Sequence, residues 1–521
     1  TYGNLYNWYA VVDEREICPA GWHVPDSLEW AVLANHLGGS SVAGGKMKET
    51  GTEHWCGSDP ANCINNGATN SSGFIGLPGG ARTSNYDYLR GQGYFWSSIE
   101  STDNNAWRWN LTKDNSVIYH DDVSKAYGFS IRCVTNDIIA GCMDVSACNY
   151  NESATVNDGN CTYYTGSTQY VSKDGNSTNC GSADYPIDSI QAGLDAATDG
   201  DTVLVDTGIY DENINWPATD AIKLIGSGID VSIIDGNQNG SVIAIGGSLG
   251  TSTIISGFTI QNGLATYTGG GIVCTTSPKF ENLKIANNSA SGEDELHGGG
   301  GMWIEASTPH LENVTIQNNT VTNYLSNGGG IVCYYASPTL INVTIKDNST
   351  PISGGGIYVY GSGSSPLIKN VVITGNTAGY GGGIACNKSS PNLENVTITG
   401  NFVADDWGNG GGIFCDANAA PTLVNCILWN DTSPEVSFAA YNDSSTITIS
   451  FSDVKGGQSG IVTNYNGTVS WGLGNIDSDP LFCEPDSINY TLASTSPCIG
   501  TGEDGANMGA LGVGCDPLSA G

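Results

Sequence analysis

Short runs of alternating apolar and small residues recur at a regular spacing in the second half of the chain. Each run begins with three glycines, as in GGGIVC at 269–274, and the copies start at positions 269, 299, 328, 354, 381 and 410. A second element of the form S-P-x-L-x-N-V-T-I-x-x-N follows the runs. The alternation places successive side chains on opposite faces and predicts β-strands. Strands that recur about every 28 residues predict a solenoid, in which each repeat forms one coil.

Two repeated side chains indicate what lies inside the coils. Asn recurs at a spacing of six, as in Asn395 and Asn401. Stacking would let equivalent Asn side chains hydrogen-bond to the coils above and below. Cys also recurs at one position of the repeat, at Cys274, Cys333, Cys386 and Cys415. We expect a buried apolar ladder of thiols, because no nearby His or Cys completes a metal ligand set.

The repeat resembles those of pectate-lyase-like proteins and of polymorphic outer-membrane-protein families, which share its GGG-I and N-x-T-I pattern. The resemblance implies a right-handed parallel β-helix, for which we expect about ten coils. Residues 185–197 predict a helix that covers the first coil, because Ile187, Ile190 and Leu194 share one helical face with Ala197. Such a cap prevents the edge of the first coil from pairing with another chain.

The end of the chain resembles the closing segment of bacterial surface β-helix proteins of the choice-of-anchor group. The resemblance rests on DPLFCEP at 479–485, SPCIGTG at 496–502 and NMGALG at 507–512. Cys483, Cys498 and Cys515 lie in or near these segments, and we expect disulfide bonding there.

Residues 1–137 differ in composition from the rest of the chain, because they are rich in Trp and lack the repeat. They resemble the Fibrobacter-type major paralogous domain through LYNWYAV (5–11), ICPAGWHVPDSLEW (17–30), GFIGLPGGAR (73–82), GYFWSS (93–98) and AYGFSIRCV (126–134). That family has a C-type-lectin-like α+β fold, and the resemblance implies that Cys18 and Cys133 tie the two ends of the domain together. Cys56 and Cys63 would close a short loop. A helix carrying Trp30 is expected to begin at Asp26 or Ser27.

The candidate ligand surface of this domain is the segment 101–122. The aromatic residues could stack on sugar rings or pack against a partner, with polar residues beside them, and the candidates are Asn104, Asn105, Trp107, Trp109, Tyr119 and Asp121. The alternative is that Trp107 and Trp109 fill one core face while Arg108 points outward. The calcium-dependent sugar motifs of C-type lectins, Glu-Pro-Asn and Gln-Pro-Asp, do not occur in this sequence.

The linker at 138–166 contains the segment GCMDVSACNYNESATVNDGNC at 141–161, and this segment resembles a short Cys-rich repeat of Bacteroidota surface proteins. Its Cys142, Cys148 and Cys161 leave one thiol over, for which Cys180 is a candidate partner. Hard oxygen ligands suited to Ca²⁺ are present at Asp144, Asn149, Asn151 and Asp158. A disulfide-stapled spacer without metal is the alternative.

Charge and Cys content limit the classes of protein to which the chain can belong. The chain has 52 Asp and Glu against 17 Lys and Arg, a formal charge of −35. This balance argues against binding to nucleic acid and to anionic membranes. No apolar run reaches membrane-spanning length. Sixteen Cys and many Asn-x-Ser/Thr sequons favour a secreted or surface-exposed glycoprotein.

The beginning of the chain suggests a route to self-assembly. Members of the N-terminal family usually have one more strand before the position of Thr1. We therefore expect that a neighbouring molecule could supply this strand by strand addition.

Enzymatic activity has little support in the repeat. A lyase of this fold needs a Lys or Arg base, yet Arg132 is the last Arg in the chain. Only His297 and His310 occur in the solenoid region, outside any Gly-His-Gly context. The pair Asp405-Asp406 is expected to be a solvated turn, because acid–base catalysis needs carboxylates that converge on a substrate.

The sequence thus predicts a mainly β protein: an α+β C-type-lectin-like domain at 1–137, a Cys-rich linker at 138–166 and a right-handed parallel β-helix at 167–521. The favoured function is a non-enzymatic adhesin or recognition protein, with a lectin-like domain and a β-helical rod, that binds carbohydrate or a surface protein. The alternative is a structural subunit of an extracellular filament or sheath, and a polysaccharide lyase or hydrolase comes third. The resemblances point to a Bacteroidota- or Fibrobacterota-like source.

Overall fold

The computed structural model describes residues 2–57, 59, 63–135, 140–292, 297–404, 409–432 and 434–517. The chain forms two compact units. The N-terminal unit comprises Thr1–Gly141 and Glu152–Asp158, and the solenoid unit comprises Cys142–Asn151 and Gly159–Gly521. None of the helices in the described ranges is long and apolar enough to cross a membrane.

The N-terminal unit mixes three helices with short strands. Its elements are α1 (Trp8–Val11), β1 (Trp22–His23), α2 (Ser27–His36), α3 (Ser40–Met47), β2 (Ala81–Arg82), β3 (Tyr86–Asp87), β4 (Gln92–Glu100), β5 (Asn105–Thr112), β6 (Ile118–Ser124), β7 (Val134–Thr135), β8 (Ala140–Gly141) and β9 (Val156–Asn157). The helix α2 begins at Asp26, whose carboxylate accepts from the Glu29 amide at 2.7 Å, while Glu29 accepts from the Asp26 amide at 2.8 Å. This reciprocal capping box satisfies two amides that the first helical turn leaves unpaired.

The antiparallel sheet β4–β5–β6 separates two apolar clusters. One face packs Phe95, Trp109 and Leu111 against Trp30 of α2. The other face packs Trp96 and its neighbours against Trp8 and Phe129. Disulfides Cys18–Cys133 and Cys56–Cys63 are present in this unit, and the first ties its two ends together.

The solenoid unit consists of one helix and many short strands. Its elements are β10 (Thr168–Val171), α4 (Ile190–Ala196), β11 (Thr202–Val205), β12 (Gly208–Asp211), β13 (Ile214–Asn215), β14 (Lys223–Gly226), β15 (Ser232–Asp235), β16 (Ile243–Ile245), β17 (Ile254–Ser256), β18 (Thr259–Gln261), β19 (Leu264–Ala265), β20 (Ile272–Cys274), β21 (Lys279–Ala286), β22 (Ser289–Ala290), β23 (Met302–Glu305), β24 (His310–Gln317), β25 (Thr320–Val321), β26 (Ile331–Tyr334), β27 (Thr339–Ile341), β28 (Thr344–Lys346), β29 (Ile357–Tyr360), β30 (Leu367–Lys369), β31 (Val372–Thr374), β32 (Thr377–Ala378), β33 (Ile384–Asn387), β34 (Asn392–Glu394), β35 (Thr397–Thr399), β36 (Phe402–Val403), β37 (Ile413–Asp416), β38 (Thr422–Val424), β39 (Ile427–Trp429), β40 (Val436–Phe438), β41 (Ser445–Ser450), β42 (Asp453–Val454), β43 (Gly467–Trp471), β44 (Phe482–Glu484), β45 (Asn489–Ala493) and β46 (Val513–Cys515). Three short 3₁₀ turns lie at Gln458–Gly460, Pro485–Ser487 and Glu503–Gly505.

Most of these strands stack into two long parallel sheets, as the repeat predicts. A 20-stranded sheet runs from β10 to β43, and a 9-stranded sheet runs from β13 to β40. The solenoid thus has about nine coils, and the sequence predicts about ten. The register repeats faithfully, for example Ile331 beside Ile357 and Cys333 beside Val359.

The glycine triplets occupy a crowded corner of each coil. Gly328 has φ of 67°, which is costly for residues with a side chain. A Cβ at Gly329 would lie 2.6 Å from the Gly355 carbonyl oxygen of the next coil. Close stacking of consecutive coils therefore requires Gly at both positions.

Two ladders run through the interior of the solenoid. Cys274, Cys333, Cys386 and Cys415 are buried in the apolar core, as predicted. A second buried ladder consists of Asn288, Asn319, Asn348, Asn376 and Asn401. Each of the first four donates from its backbone N–H and its Nδ2 to the Oδ1 of the next Asn, at 2.9–3.1 Å. The Asn six residues before each ladder Asn instead has a positive φ, for example 54° at Asn342.

Both ends of the repeat region carry extra structure. The helix α4 begins at Ser189 and buries Ile190 and Leu194 against the first coils. The C-terminal strands β44–β46 form a small sheet closed by the Cys483–Cys515 disulfide. The expected disulfide role of Cys498 is wrong, because Cys498 is a buried free thiol that donates to Asp453 Oδ2 at 3.2 Å.

Candidate functional site

The alternation along β5 divides the predicted ligand surface between two faces of the sheet. Trp109 lies in the core, stacked on Trp30 at 6.0 Å between ring centroids. Trp109 is only 5% exposed, so it cannot stack on a ligand, and its candidate role is corrected to packing. Trp107 shares this face but is partly exposed, with its ring 5.8 Å from that of His120.

The remaining candidates are not brought together with the Trp residues. Tyr119 and Asp121 lie on strand β6 and share the opposite face with Arg108, which pairs directly with Asp121 in the register. Asn105 Nδ2 donates to Asp122 Oδ2 at 3.1 Å, and the Asn104 carbonyl accepts from the Lys125 amide at 2.9 Å. These two Asn residues therefore stabilise the turn between β4 and β5.

An open cavity of about 470 Å³ lies on the Arg108 face. Its lining combines aromatic rings with polar groups from four separate stretches of chain, including Thr83, Asp87, Tyr88, Tyr94, Arg108 and Tyr127. A mixed lining of this kind, in a cavity of several hundred Å³, is typical of small-molecule sites. We name it the Arg108 cavity.

The Arg108 guanidinium makes a hydrogen bond and a ring contact, but two of its nitrogens have no hydrogen-bond partner among the described residues. Its Nη2 donates to Asp121 Oδ2 at 2.9 Å, and its central carbon lies 4.3 Å from the ring centroid of Tyr94. The side chain is 13% exposed. Its Nε and Nη1 have no hydrogen-bond partner among the described residues, although both atoms are buried. Both nitrogens are covered by protein, including the Tyr94 and Phe129 rings, so a ligand acceptor would reach them only after these side chains move.

The surroundings also shift the pKa of Tyr94, whose ring lies against the Arg108 guanidinium. Burial raises the pKa of Tyr94, and the adjacent Arg108 partly offsets this rise. Tyr94 therefore stays a neutral phenol at physiological pH, able to donate and accept hydrogen bonds.

The predicted calcium ligands already have hydrogen-bond partners. Asp144 Oδ1 accepts from the Ser146 hydroxyl at 2.7 Å, and its Oδ2 accepts from the Tyr163 hydroxyl at 2.7 Å. Asn149 Oδ1 accepts from the Thr162 amide at 2.8 Å. Asn151 lies in the solenoid unit with Asp144 and Asn149, whereas Asp158 lies in the N-terminal unit. Calcium binding by this segment stays a prediction.

One disulfide closes a loop within the predicted linker, and a second joins the linker to the segment that follows it. The structure contains Cys142–Cys161 and Cys148–Cys180. The pairing of Cys148 uses Cys180, the candidate partner for the odd thiol.

The solenoid carboxyls whose pKa is raised lie inside the fold. Asp431 and Glu435 are buried next to one another, and burial raises the pKa of both. Burial also raises the pKa of Asp453 to about 7. Within the described residues, no group of three or more His, Cys, Asp or Glu side chains could hold a metal ion.

The other residues considered for catalysis do not converge. His310 Nε2 lies 3.5 Å from Glu312 Oε2, and the His297 ring lies 5.4 Å from that of Tyr267. The pair Asp405-Asp406 lies outside the described residues.

Comparison with known families identifies both parts of the chain. Residues 1–135 match the Fibrobacter succinogenes major domain. Residues 198–370 and 307–471 match the right handed beta helix region, which together covers more than half of the chain. A search of curated proteins found no match.

Solved structures with some similarity include three carbohydrate-related proteins. The pectate lyase Pel9A is 15% identical with a TM-score of 0.35, over 67% of this chain and 96% of the lyase. A pectin methylesterase from carrot is 14% identical with a TM-score of 0.31, over 60% of this chain and 90% of the esterase. XylC in complex with xylose is 8% identical with a TM-score of 0.32, over 61% of this chain and 87% of XylC.

Proposed function

We propose that this chain, which belongs to the right handed beta helix family, is an extracellular recognition protein whose N-terminal unit binds a ligand in the Arg108 cavity. The observation that carries the proposal is the pair of buried, unpartnered N–H groups on Arg108 beside an open cavity. A buried donor without a partner costs roughly 1–3 kcal/mol, which a ligand acceptor would recover. The expected ligand is a carbohydrate or a surface protein.

Other features support an extracellular, adhesin-like role. Five disulfides suit an oxidising compartment. The N-terminal unit would share the C-type-lectin-like fold of its family, but it uses a cavity built around Arg108 rather than a calcium motif. The solenoid, whose consecutive coils are joined by two parallel sheets and a buried Asn ladder, would serve as a rigid scaffold.

The solenoid is proposed to be non-catalytic. Its displaced carboxyls, Asp431, Glu435 and Asp453, belong to the interior and hold coils together. Incubating the chain with pectin, polygalacturonate and xylan tests this view, and any release of reducing or unsaturated ends above that of a heat-treated sample would contradict it.

Ligand binding is tested with the full chain on an array of glycans and surface proteins. We expect saturable binding that Arg108→Gln weakens at least tenfold. The matched control is Trp107→Ala, a change on the same strand but on the opposite face, for which we expect less than a twofold effect. Melting temperatures of both variants establish that the domain is folded.

The opposite pattern would place the site elsewhere. Loss of binding in Trp107→Ala, with full binding in Arg108→Gln, would move the ligand to the Trp face. Absence of saturable binding to any member of the array would overturn the recognition role.

A filament-forming role is the second candidate, and the end of the solenoid favours it. Strand β43 is the last of the 20-stranded sheet and, in the described part of the chain, pairs only with β41. Tyr465 and Leu473, on either side of it, are highly exposed. An uncovered strand edge beside apolar residues favours pairing between chains.

Sedimentation and negative-stain microscopy test assembly. We expect concentration-dependent association that Leu473→Lys reduces, because an added charge at a strand edge opposes edge-to-edge pairing. A chain that remains monomeric at millimolar concentration would exclude this candidate.

A further inference from the structure

A second open cavity adjoins the Arg108 cavity in the N-terminal unit. It has a volume of about 460 Å³, and its lining includes Tyr86, Tyr88, Gln92, Lys113 and Asp114. Tyr88 lines both cavities. The walls are also linked, because the Tyr94 hydroxyl of the first cavity donates to Gln92 Oε1 of the second. We name these two neighbouring cavities, which share Tyr88 in their linings, the groove.

The backbone of Tyr88 is held in an unfavourable conformation. Its φ is 58°, in the left-handed region that bulky residues rarely adopt. The Tyr88 carbonyl accepts from the amides of Gly91 and Gln92, both at 3.0 Å, and the Arg90 amide donates to the Pro78 carbonyl at 3.0 Å. These bonds impose the conformation on the loop.

Packing accounts for only part of the Tyr88 ring, which contacts the Tyr94 ring edge-on with 6.1 Å between the centroids. The Tyr88 side chain is 61% exposed, so it contributes little to the core. Backbone strain that presents an exposed aromatic ring between two cavities points to a ligand contact.

The charges along the groove are arranged in pairs. Arg108 pairs with Asp121, and Lys113 Nζ lies 3.0 Å from Asp114 Oδ1. Asp87 is the additional carboxylate, and it accepts from the Thr83 hydroxyl. The two linings contain two cationic side chains, those of Arg108 and Lys113, and two anionic ones, those of Asp87 and Asp114. With Asp121, which pairs with Arg108 from outside the linings, one negative charge is in excess, in a chain of net charge −35. An anionic ligand is therefore disfavoured by Coulomb repulsion.

An uncharged polyhydroxylated ligand fits this arrangement better than an anion. Each sugar hydroxyl both donates and accepts, so it can satisfy an ammonium or guanidinium N–H and a neighbouring carboxylate at once. Tyrosine rings offer an apolar face with a polar edge, which matches the two kinds of surface on a sugar ring.

We infer that the groove binds an uncharged oligosaccharide of two or more units, with one unit in the Arg108 cavity, the next beside Lys113 and Asp114, and the Tyr88 ring against the junction. This inference rests on the proposed recognition role and adds the class and minimum length of the ligand.

The test is calorimetric titration of the full chain with cello-, xylo- and manno-oligosaccharides of one to six units, and with oligogalacturonides of the same lengths. For at least one neutral series, we expect affinity to rise at least tenfold between one and three units. Oligogalacturonides of equal length should bind at least tenfold more weakly.

Three variants locate the two subsites. Arg108→Gln should weaken short and long ligands alike, whereas Lys113→Gln should weaken only the longer ones. Tyr88→Gly should weaken the longer ligands at least tenfold while the melting temperature stays equal or rises, because Gly adopts a positive φ without strain. The matched control is Tyr119→Ala, which removes an exposed tyrosine outside both cavities and should leave affinity unchanged.

The outcomes separate this inference from the proposed function. Affinity independent of chain length, tighter binding of oligogalacturonides, or full binding by the Tyr88→Gly variant would each overturn the oligosaccharide groove. The recognition role would still stand if Arg108→Gln abolished binding of some other ligand. Full binding by the Arg108→Gln variant would overturn both the groove and the assignment of any ligand to the Arg108 cavity.

Discussion

Asn401 makes two hydrogen bonds to a single oxygen of Asp431, from its backbone N–H at 2.7 Å and from its Nδ2 at 2.8 Å. Asp431 thus takes the place of the next Asn and ends the buried ladder with a carboxyl. The position is dry, and burial raises the pKa of Asp431. The ladder therefore couples the repeating coils to a titratable group at its C-terminal end.

The middle of this ladder is predicted to be essential for solenoid stability. The Asn348 side chain donates to Asn376 Oδ1 and to the Ile316 carbonyl, and its Oδ1 accepts two bonds from Asn319. Asn348→Ala leaves these buried partners unsatisfied, so we expect a loss of about 3 kcal/mol or more in the free energy of unfolding. Urea denaturation followed by circular dichroism measures it.

The control lies in the same coil. Asn342 belongs to a second series of Asn side chains, which is exposed and in which each Asn bonds to the equivalent Asn of the next coil. It donates to Asn313 Oδ1 at 3.3 Å, and its backbone has a φ of 54°. Asn342→Gly should cost less than about 1 kcal/mol, because Gly adopts this φ without strain and the lost bonds are solvated. Equal losses in the two variants would show that burial of the ladder is not what stabilises it.

Solenoid stability is predicted to fall as the pH rises toward neutrality. Burial raises the pKa of Asp453 from 3.8 to about 7, so the folded chain binds this proton more tightly than the unfolded chain does. This stabilisation is fully present below about pH 4 and is lost as the pH rises through about 7. We expect the melting temperature to decrease between pH 5 and pH 8.

Asp453→Asn should flatten that dependence, since the amide does not titrate. Asp431 and Glu435, whose pKa values are also raised, should retain part of the slope. Differential scanning calorimetry at several pH values makes the comparison. An identical slope in the variant and the unchanged protein would contradict the assignment to Asp453.

The six free cysteines are predicted to be inert in the folded chain. All are buried, and burial raises the pKa of Cys386 to about 12, so the reactive thiolate is scarce. We expect Ellman's reagent at pH 8 to label none of them before unfolding and all six in denaturant. Rapid labelling of the folded chain would indicate an opening of the coils that the structure does not contain.

Lys48 is predicted to anchor the loops of the N-terminal unit. Its ammonium is buried and donates to the carbonyl oxygens of Asn66, Thr112 and Asn115 at 2.8–2.9 Å. Lys48→Met leaves three carbonyls without this donor, so we expect a loss of about 3 kcal/mol. Tryptophan fluorescence during urea unfolding reports it, with Lys46→Met, two residues earlier in α3, as the control. A loss below about 1 kcal/mol would show that water replaces the ammonium.

Much of the solenoid could be read from the sequence because its determinants are local and repeated. The glycine triplets, the inward Cys positions and the paired Asn residues recur once per coil, and parallel stacking places equivalent residues side by side. The cap helix beginning at Ser189 is likewise encoded by adjacent residues.

The tertiary structure alone decided the candidate site, because that site is assembled from distant segments. The Arg108 cavity needs Tyr88 from a strained loop, Tyr94 from β4 and Asp121 from β6, and no sequence spacing links them. Alternation along β5 separated Arg108 from its Trp neighbours but did not reveal that a cavity covers its face. Cys498 illustrates the same limit, because its Asp453 partner lies 45 residues away and a Cys count cannot distinguish a disulfide from a thiol buried against a carboxyl.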